Sequence, residues 1–347
     1  MKKVYIYLLA SSIKDGGMAR NFAFKNYIYP VDVNINVYCK NIFERVLLMI
    51  RMTFFFLFSK KKKVFIHQGT LIYIYPIILL KFGLIRFLFK RGIEIFINNN
   101  TVYFEVNDLP YEQSIDLGYE VKQENLFFEK FLYSQLKLNF IFASKEMRNY
   151  ACEQYNIDIR NTQVILNGGY DLESNFETNK ELLSSKIKYV YCGTLNKGRG
   201  IQEIIEIFKE NTDLLLVLLG TEGEWISEDT EITENIIYLG SLEEQEAHKI
   251  VAQCDIGIIN YDEDKLYYNI CFPTKVSFYI TAGIAVLSTP LKELVNDFGD
   301  VFIFSKIKDF EKTIQQISHE DVVKYKNKVI SIKNNYSWKS LLSQLEF

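Results

Sequence analysis

The chain reads as two doubly wound α/β domains in series, on three observations. Short apolar runs alternate with helix-length stretches along all 347 residues. The alternation lapses once, in the polar stretch from Asp171 to Lys186 that follows Asn167-Gly168-Gly169. The charge changes sign across that lapse: residues 1–172 carry 22 Lys+Arg against 15 Asp+Glu, and the remainder 18 against 28. Such a length is long for one domain and comfortable for two. An apolar fraction of 48% with 24% charged residues supplies two cores, and 5 prolines with 17 glycines leave no room for a long disordered linker.

The first series opens on Val4–Ala10. This apolar run lies at the short limit of a secretory h-region and reads as a first buried strand. Strands are then expected at Val31–Tyr38, Val64–His67, Val102–Val106, Phe140–Ala143 and Gln163–Leu166. Helices fill the gaps at Ile42–Phe58, Leu71–Phe89, Glu124–Leu136 and Lys145–Tyr155. The strands are apolar throughout rather than alternating, which belongs to a parallel sheet covered on both faces. The second series runs Tyr189–Cys192, Leu214–Leu219, Ile236–Leu239, Ile256–Asn260, Ala285–Ser288 and Val301–Phe304. Its helices are expected near Ile201–Glu210, Glu243–Gln253, Thr274–Ala282 and Asp309–Ile317. The domain boundary falls at 170/171. Five cysteines, odd in number and without metal spacing, read as buried free thiols of a reducing cytoplasm.

Ligands of such sheets bind beyond the carboxyl ends of the strands, so the loops there are where chemistry is sought. The segment YVYCGTLNKGRGI (189–201) is strand, glycine-bearing turn, then helix, with Lys197 and Arg199 where the helix opens. Cations at a helix N-terminus are unfavourable unless an anion neutralises them, so they point to a bound phosphate; a solvated basic turn is the plain alternative. FPTKVSFYITAGIAVLSTP (272–290) repeats the arrangement: Pro273 suits the first helical position, Lys275 falls in the first turn and Gly283 ends the helix. Two such sites in one sheet fit a diphosphate shared by Arg199 and Lys275.

These segments carry a resemblance. G-x-L-x-x-x-R-G-I (193–201), Y-L-G (238–240), C-D-I-G-I (254–258) and P-x-K-x-x-x-Y-x-x-x-G (273–283) resemble GT-B-fold glycosyltransferases. The similarity is to the large retaining bacterial family that includes polysaccharide and lipopolysaccharide transferases (family-4-like). In the first half Gly16-Gly17, F-E-V-N-D-L-P (104–110) and V-I-L-N-G-G-Y-D (164–171) agree with it, as does Asn335-Tyr336-Ser337-Trp338 near the end. The resemblance implies two Rossmann-like domains with an interdomain cleft, an acceptor-side domain at 1–170 and a nucleotide-sugar domain at 171–318. Helices at 319–347 would cross back toward the first domain, and Asn167 would lie near the hinge. Arg199 and Lys275 would bind the donor diphosphate, with Lys197 beside them. Gly16 and Gly17 would let the first loop approach the donor, and the turn at Gly240 would present backbone to the base. Where Phe278 stands, the family carries a glutamate that holds the ribose, and Ser277 or Tyr279 would compensate. The family also carries histidine where Asn107 stands, and commonly arginine where Thr194 stands. Enzymes of this kind have no obvious protein nucleophile; the leaving diphosphate helps deprotonate the acceptor, and the protein orients and stabilises charge.

On the acceptor side Glu105, Asn107 and Asp108 follow a strand, and Asp108 could polarise an acceptor hydroxyl; a turn role for Asn107-Asp108 is the alternative. His67, ending a strand, could reach the same place or be a core histidine. His248 and His319 read as surface residues of helices. Asp262-Glu263-Asp264 reads as a solvated acidic loop, with no metal required.

Between Lys40 and Arg91 stand 11 basic residues and one acid, Glu44, around two apolar stretches too interrupted to span a bilayer. Either their apolar faces pack on the sheet, or they lie against lipid with Lys and Arg toward anionic head groups. We expect peripheral membrane contact through residues 40–91, on the inner face of the cell membrane. Nucleic acid is not expected, because helical packing uses the aromatics. The expected activity is transfer of a hexose from a nucleotide-diphosphate sugar (UDP- or GDP-linked), with retention, to a glycan or lipid-linked acceptor in surface-polysaccharide synthesis. No other cofactor is expected. The alternative is a non-catalytic subunit of the same fold that binds an acceptor protein or a partner transferase.

Overall fold

The computed structural model describes residues 1–10, 16–28, 31–170, 177–196, 199–229 and 232–347. It divides into two compact units, residues 1–166 with 342–347, and residues 167–341. The first holds β1 (Lys2–Tyr7), β2 (Val33–Asn36), β3 (Lys62–His67), β4 (Thr101–Val106), β5 (Leu138–Phe142) and β6 (Thr162–Val164). These form one parallel sheet in the order β2-β1-β3-β4-β5-β6. The second holds β7 (Lys188–Cys192), β8 (Leu215–Leu219), β9 (Ile236–Tyr238), β10 (Ile256–Ile259), β11 (Ala285–Ser288) and β12 (Ile303–Phe304). Its parallel order is β12-β11-β10-β7-β8-β9. The order reverses between β1 and β3 in one sheet and between β7 and β10 in the other, and those reversals are where a doubly wound sheet opens a crevice.

The strands are buried because their residues are apolar on both faces: Val190, Leu216, Val217, Ile258 and Val286 are all fully enclosed. Helices whose apolar residues recur with helical period keep the expected bounds at Ile42–Phe58, Lys145–Tyr155, Ile201–Glu210 and Thr274–Ala282. The expected helix Leu71–Phe89 does not form as one piece. It is a short helix Gln68–Ile74, a 3-10 turn Ile77–Lys81 and a helix Gly83–Asn99. Pro76 has no N–H to continue the ladder and excludes helical backbone at Tyr75, which sits at ψ 89°. Pro273 is the N-cap of Thr274–Ala282 rather than its first residue, which still leaves Lys275 in the first turn. Of the five free cysteines only Cys254 is fully buried; the other four are half-buried.

The unit boundary falls four residues before the expected 170/171, and residues 319–341 group with the second unit. The cause is local. Gly169 N–H donates to Tyr336 O and Trp338 N–H to Gly169 O, each at 2.9 Å, so N-G-G and Y-S-W form one parallel bridge. A side chain at Gly168 would strike Trp338, and one at Gly169 would strike Thr281 and the Ser277 carbonyl. Asn167 adds a bond from Nδ2 to Phe272 O at 2.9 Å. Only Leu342–Phe347 joins the first unit, where Glu346 N–H donates to Gln163 Oε1.

Candidate anion-binding site

The site is built at the reversal between β7 and β10. The two strands pair only at Ile256–Tyr189 and Gly257–Val190, then part. The Tyr279 hydroxyl enters the gap: it accepts the Cys192 N–H at 3.0 Å and reaches the carbonyls of Ile258 and Val190 at 3.3 and 3.4 Å. Its ring lies on Gly257, where any side chain would overlap it. Tyr279 is therefore fully buried with its hydroxyl already in use, which corrects the expectation that it contacts a donor. Ser277, also assigned to the donor, is fully enclosed on the same helix, and its hydroxyl has no partner among the described residues.

Above this wedge the backbone is packed tightly. Gly193 N–H donates to Leu219 O, and Gly220 N–H to Gly240 O, each at 2.9 Å. Gly220 has φ +147°, and a Cβ there would overlap the carbonyl of Gly193, so the loops after β7 and β8 can approach this closely only with glycine at 220. Gly240 follows β9 with open space around its Cα and its carbonyl taken by Gly220. Gly200, at φ +70°, caps the helix Ile201–Glu210 without a side-chain bond. Asn260 holds it, donating from Nδ2 to the carbonyls of Arg199 and Gly200 at 3.1 Å each. The first N–H groups of that helix have no side-chain cap to meet them.

Two cations converge here. The Lys275 amine lies over the Tyr191 ring at 3.6 Å and 4.9 Å from the Tyr261 ring centre. Its residue is only 6% exposed, and its nitrogen has no hydrogen-bond partner among the described residues. Burial, reinforced by the charge of Arg199, pushes this amine well below the ordinary lysine range. Arg199 is half-buried, with one guanidinium nitrogen 3.5 Å from the Tyr261 hydroxyl. Tyr261 is stacked on Tyr268 at 4.5 Å, which fixes the aromatic wall. A buried amine lacking a bond is costly, and an anion's oxygens would bond it and favour its charged form. Lys197 and the loop 11–15 lie outside the described residues; Gly16 and Gly17 are the first two residues of the helix Gly16–Tyr27.

In the first unit the structure separates the expected acceptor-side residues. Glu105 is buried rather than facing a cleft: Oε1 pairs with Arg20 Nε at 2.5 Å and Oε2 accepts from His67 Nδ1 at 2.8 Å. The carboxylate can only accept, so His67 carries its proton on Nδ1 and takes the Tyr5 hydroxyl at Nε2, 2.6 Å away. Arg20 also donates to the carbonyls of Ile165 and Leu166. Burial pushes His67 below its usual value against the pull of Glu105. Burial alone would raise Glu105, but Arg20 and His67 outweigh it and hold it low. His67 and Glu105 are thus corrected to members of a closed internal network. Asn107 and Asp108 remain half-buried at the carboxyl end of β4, Asn107 Nδ2 donating to Asp108 Oδ2 at 3.0 Å.

Two further features were not foreseen. His248 is buried, not on the surface: Nε2 sits 3.1 Å from Phe278 O, its ring lies 4.5 Å from that of Phe278, and burial lowers it to about 4. Phe278, where the resemblance expects glutamate, is thus a packing partner of His248. Glu129 is buried near Glu112, and Tyr155 donates to both at 3.0 and 3.1 Å. Burial, then the charge of Glu112, raises Glu129 to about 8. Asp262–Asp264 is a loop, with Asp264 N–H on Asp262 Oδ1 and Ile307 N–H on Glu263. Among the described residues no three His, Cys, Asp or Glu side chains gather to hold a metal ion.

No known protein-family description and no curated protein matches the sequence. Solved structures do match in fold. WaaG, a glycosyltransferase involved in lipopolysaccharide biosynthesis, superposes with a TM-score of 0.64 at 10% identity, over 99% of this chain and 98% of its own. HepE of Anabaena, solved in complex with UDP, gives 0.62 at 11% identity over 99% and 98%. A putative UDP-N-acetylglucosamine 2-epimerase of Listeria monocytogenes gives 0.55 at 9% identity over 99% and 94%. The chain therefore has the GT-B fold, and that fold carries both transferases and an epimerase among its neighbours.

Proposed function

We propose that the chain is a glycosyltransferase that moves a hexose from a nucleotide-diphosphate sugar to a hydroxyl of a glycan or lipid-linked acceptor. The observation that carries this is the Lys275 amine, buried beside Arg199 where β7 and β10 part and without a hydrogen bond among the described residues. When the sugar–phosphate bond breaks, negative charge grows on the departing diphosphate. Cations already fixed at that position stabilise the transition state without reorganising. Gly193, Gly220 and Gly200 let backbone come close, and the uncapped helix start at Gly200 adds N–H groups for a phosphate. Lys197 would add charge, and the turn at Gly240 would lie against the base. Asp108, its carboxylate held by Asn107, would orient the acceptor hydroxyl. We place the reaction in surface-polysaccharide assembly on the inner face of the cell membrane, with retention at the anomeric carbon. The UDP carried by HepE makes UDP-sugars the first donors to test and GDP-sugars the next.

The test incubates pure protein with UDP-, GDP- and dTDP-sugars, with and without membrane extract, and follows nucleotide release. One donor should turn over only with extract, and Lys275→Met or Arg199→Ala should lower the rate by about 100-fold or more. Failure of every donor to bind or react would overturn the proposal. Phe278 favours a second reading, a non-catalytic subunit, since it leaves no carboxylate for a ribose at that position; binding without turnover would select it.

A further inference from the structure

The helix Ile42–Phe58 presents its apolar side outward. Its inward side carries Met52 and Phe56, which are buried. Its outward side carries Phe43, Val46, Leu47, Ile50, Phe54 and Phe58, each between 47% and 71% exposed. At 100° per residue these six lie within roughly one third of a turn, a stripe about 25 Å long with no polar residue inside it. Arg51 and Glu44 stand together at one border of this stripe, and Lys60 and Lys61 follow its end. Beside it runs the helix Gly83–Asn99, touching at Gly92 and Phe56 and tied at the end by Asn100 Nδ2 on Ser59 O. Its first turns add Leu84 and Phe87, 71% and 59% exposed. Ordinary surfaces scatter such residues singly; a continuous stripe marks a partner.

From this face we infer that the first unit docks on an anionic lipid surface, with the helix Ile42–Phe58 lying in the plane of the head groups. Charge decides the occupant. Residues 40–91 hold 11 cations and one acid, so a second copy meeting face to face would bring like charges together. An anionic bilayer instead takes the apolar stripe into its acyl boundary and the flanking Arg51, Lys60 and Lys61 into its phosphates. Arg45 does not take part, because its guanidinium bonds Tyr73 O and stacks on that ring at 4.2 Å. Among the described residues no helix is long and apolar enough to cross a membrane, and docking requires none. The inference does not depend on the transferase proposal, since lipid binding is measured without any sugar donor.

The experiment co-sediments the full chain with vesicles of phosphatidylcholine alone or mixed with phosphatidylglycerol. Binding is expected only to the mixed vesicles and should weaken as salt rises. Phe43→Glu with Phe54→Glu should reduce it by about 100-fold, and Arg51→Glu with Lys60→Glu by about 10-fold. Both pairs are exposed, and an unchanged melting temperature confirms that they fold. A Phe54→Trp variant quenched by brominated lipid places that side chain in the acyl region. Equal binding by the Phe43→Glu/Phe54→Glu variant would overturn the inference. So would a wild-type dimer that this variant dissolves while neither protein binds vesicles, since a second copy would then cover the stripe.

Discussion

Both sheets bury charge at the point where their strand order reverses, and they treat it in opposite ways. In the first, between β1 and β3, Tyr5, His67, Glu105 and Arg20 form a chain in which Glu105 has a partner for each oxygen. In the second, between β7 and β10, Lys275 is also buried and has aromatic faces but no acceptor among the described residues. A closed network rigidifies a fold; a buried cation that the protein leaves unbonded is suited to a ligand's atoms. Burial of a charge therefore does not mark a site by itself. What marks it is which partner is missing.

The largest effect should come from opening the closed network. Arg20→Met leaves Glu105 buried without its cation and should cost about 3–5 kcal/mol in urea unfolding. A loss under about 1 kcal/mol would mean that the network is not rigidly paired. Glu129 offers a third treatment, in which a surplus buried carboxyl keeps its proton. Its folded value of about 8 exceeds the ordinary 4.5, so the folded state binds more protons between them. Stability should be full below about 4.5 and fall as pH rises through about 8, and Glu129→Gln should flatten that slope. A wild-type urea midpoint that is level across this range would contradict the assignment.

On the open side the sign reverses. Lys275→Met exchanges an unbonded buried amine for an apolar chain of similar length and should raise stability by about 1–3 kcal/mol while removing ligand binding. Its folded value is depressed, so the relief should grow as pH falls below the ordinary lysine range. A destabilised variant would mean that Lys275 already has a strong partner. Tyr279→Phe strands the Cys192 N–H and should cost about 1–2 kcal/mol with donor affinity little changed, checked by unfolding and titration together.

How much of this was legible in the sequence depended on how local the cause was. Helices with helical period and a clear stop such as Gly283 could be read to the residue, while strands that are apolar on both faces could be placed but with ends a few residues off. Pro76 breaks the run Leu71–Phe89 because it cannot continue a helical ladder. Roles set by distant partners could not be read. Glu105 and His67 look like cleft residues at strand ends until Arg20 closes on them from another element. Tyr279 looks like a ligand contact until the parting of β7 and β10 leaves its hydroxyl a gap to fill. His248 sits among Glu, Gln and Lys in sequence, and only the approach of Phe278 and Thr281 buries it. The place of Lys275 in the first turn of its helix could be read because Pro273 precedes that helix and Gly283 ends it.

Lys275 stands ready for a diphosphate, and calorimetric titration of the protein with UDP and GDP measures this most directly. One of the two should bind the wild type, and Lys275→Met should lose that binding. Binding of the same affinity in the variant, or no binding of either nucleotide to the wild type, would show that Lys275 does not hold the diphosphate.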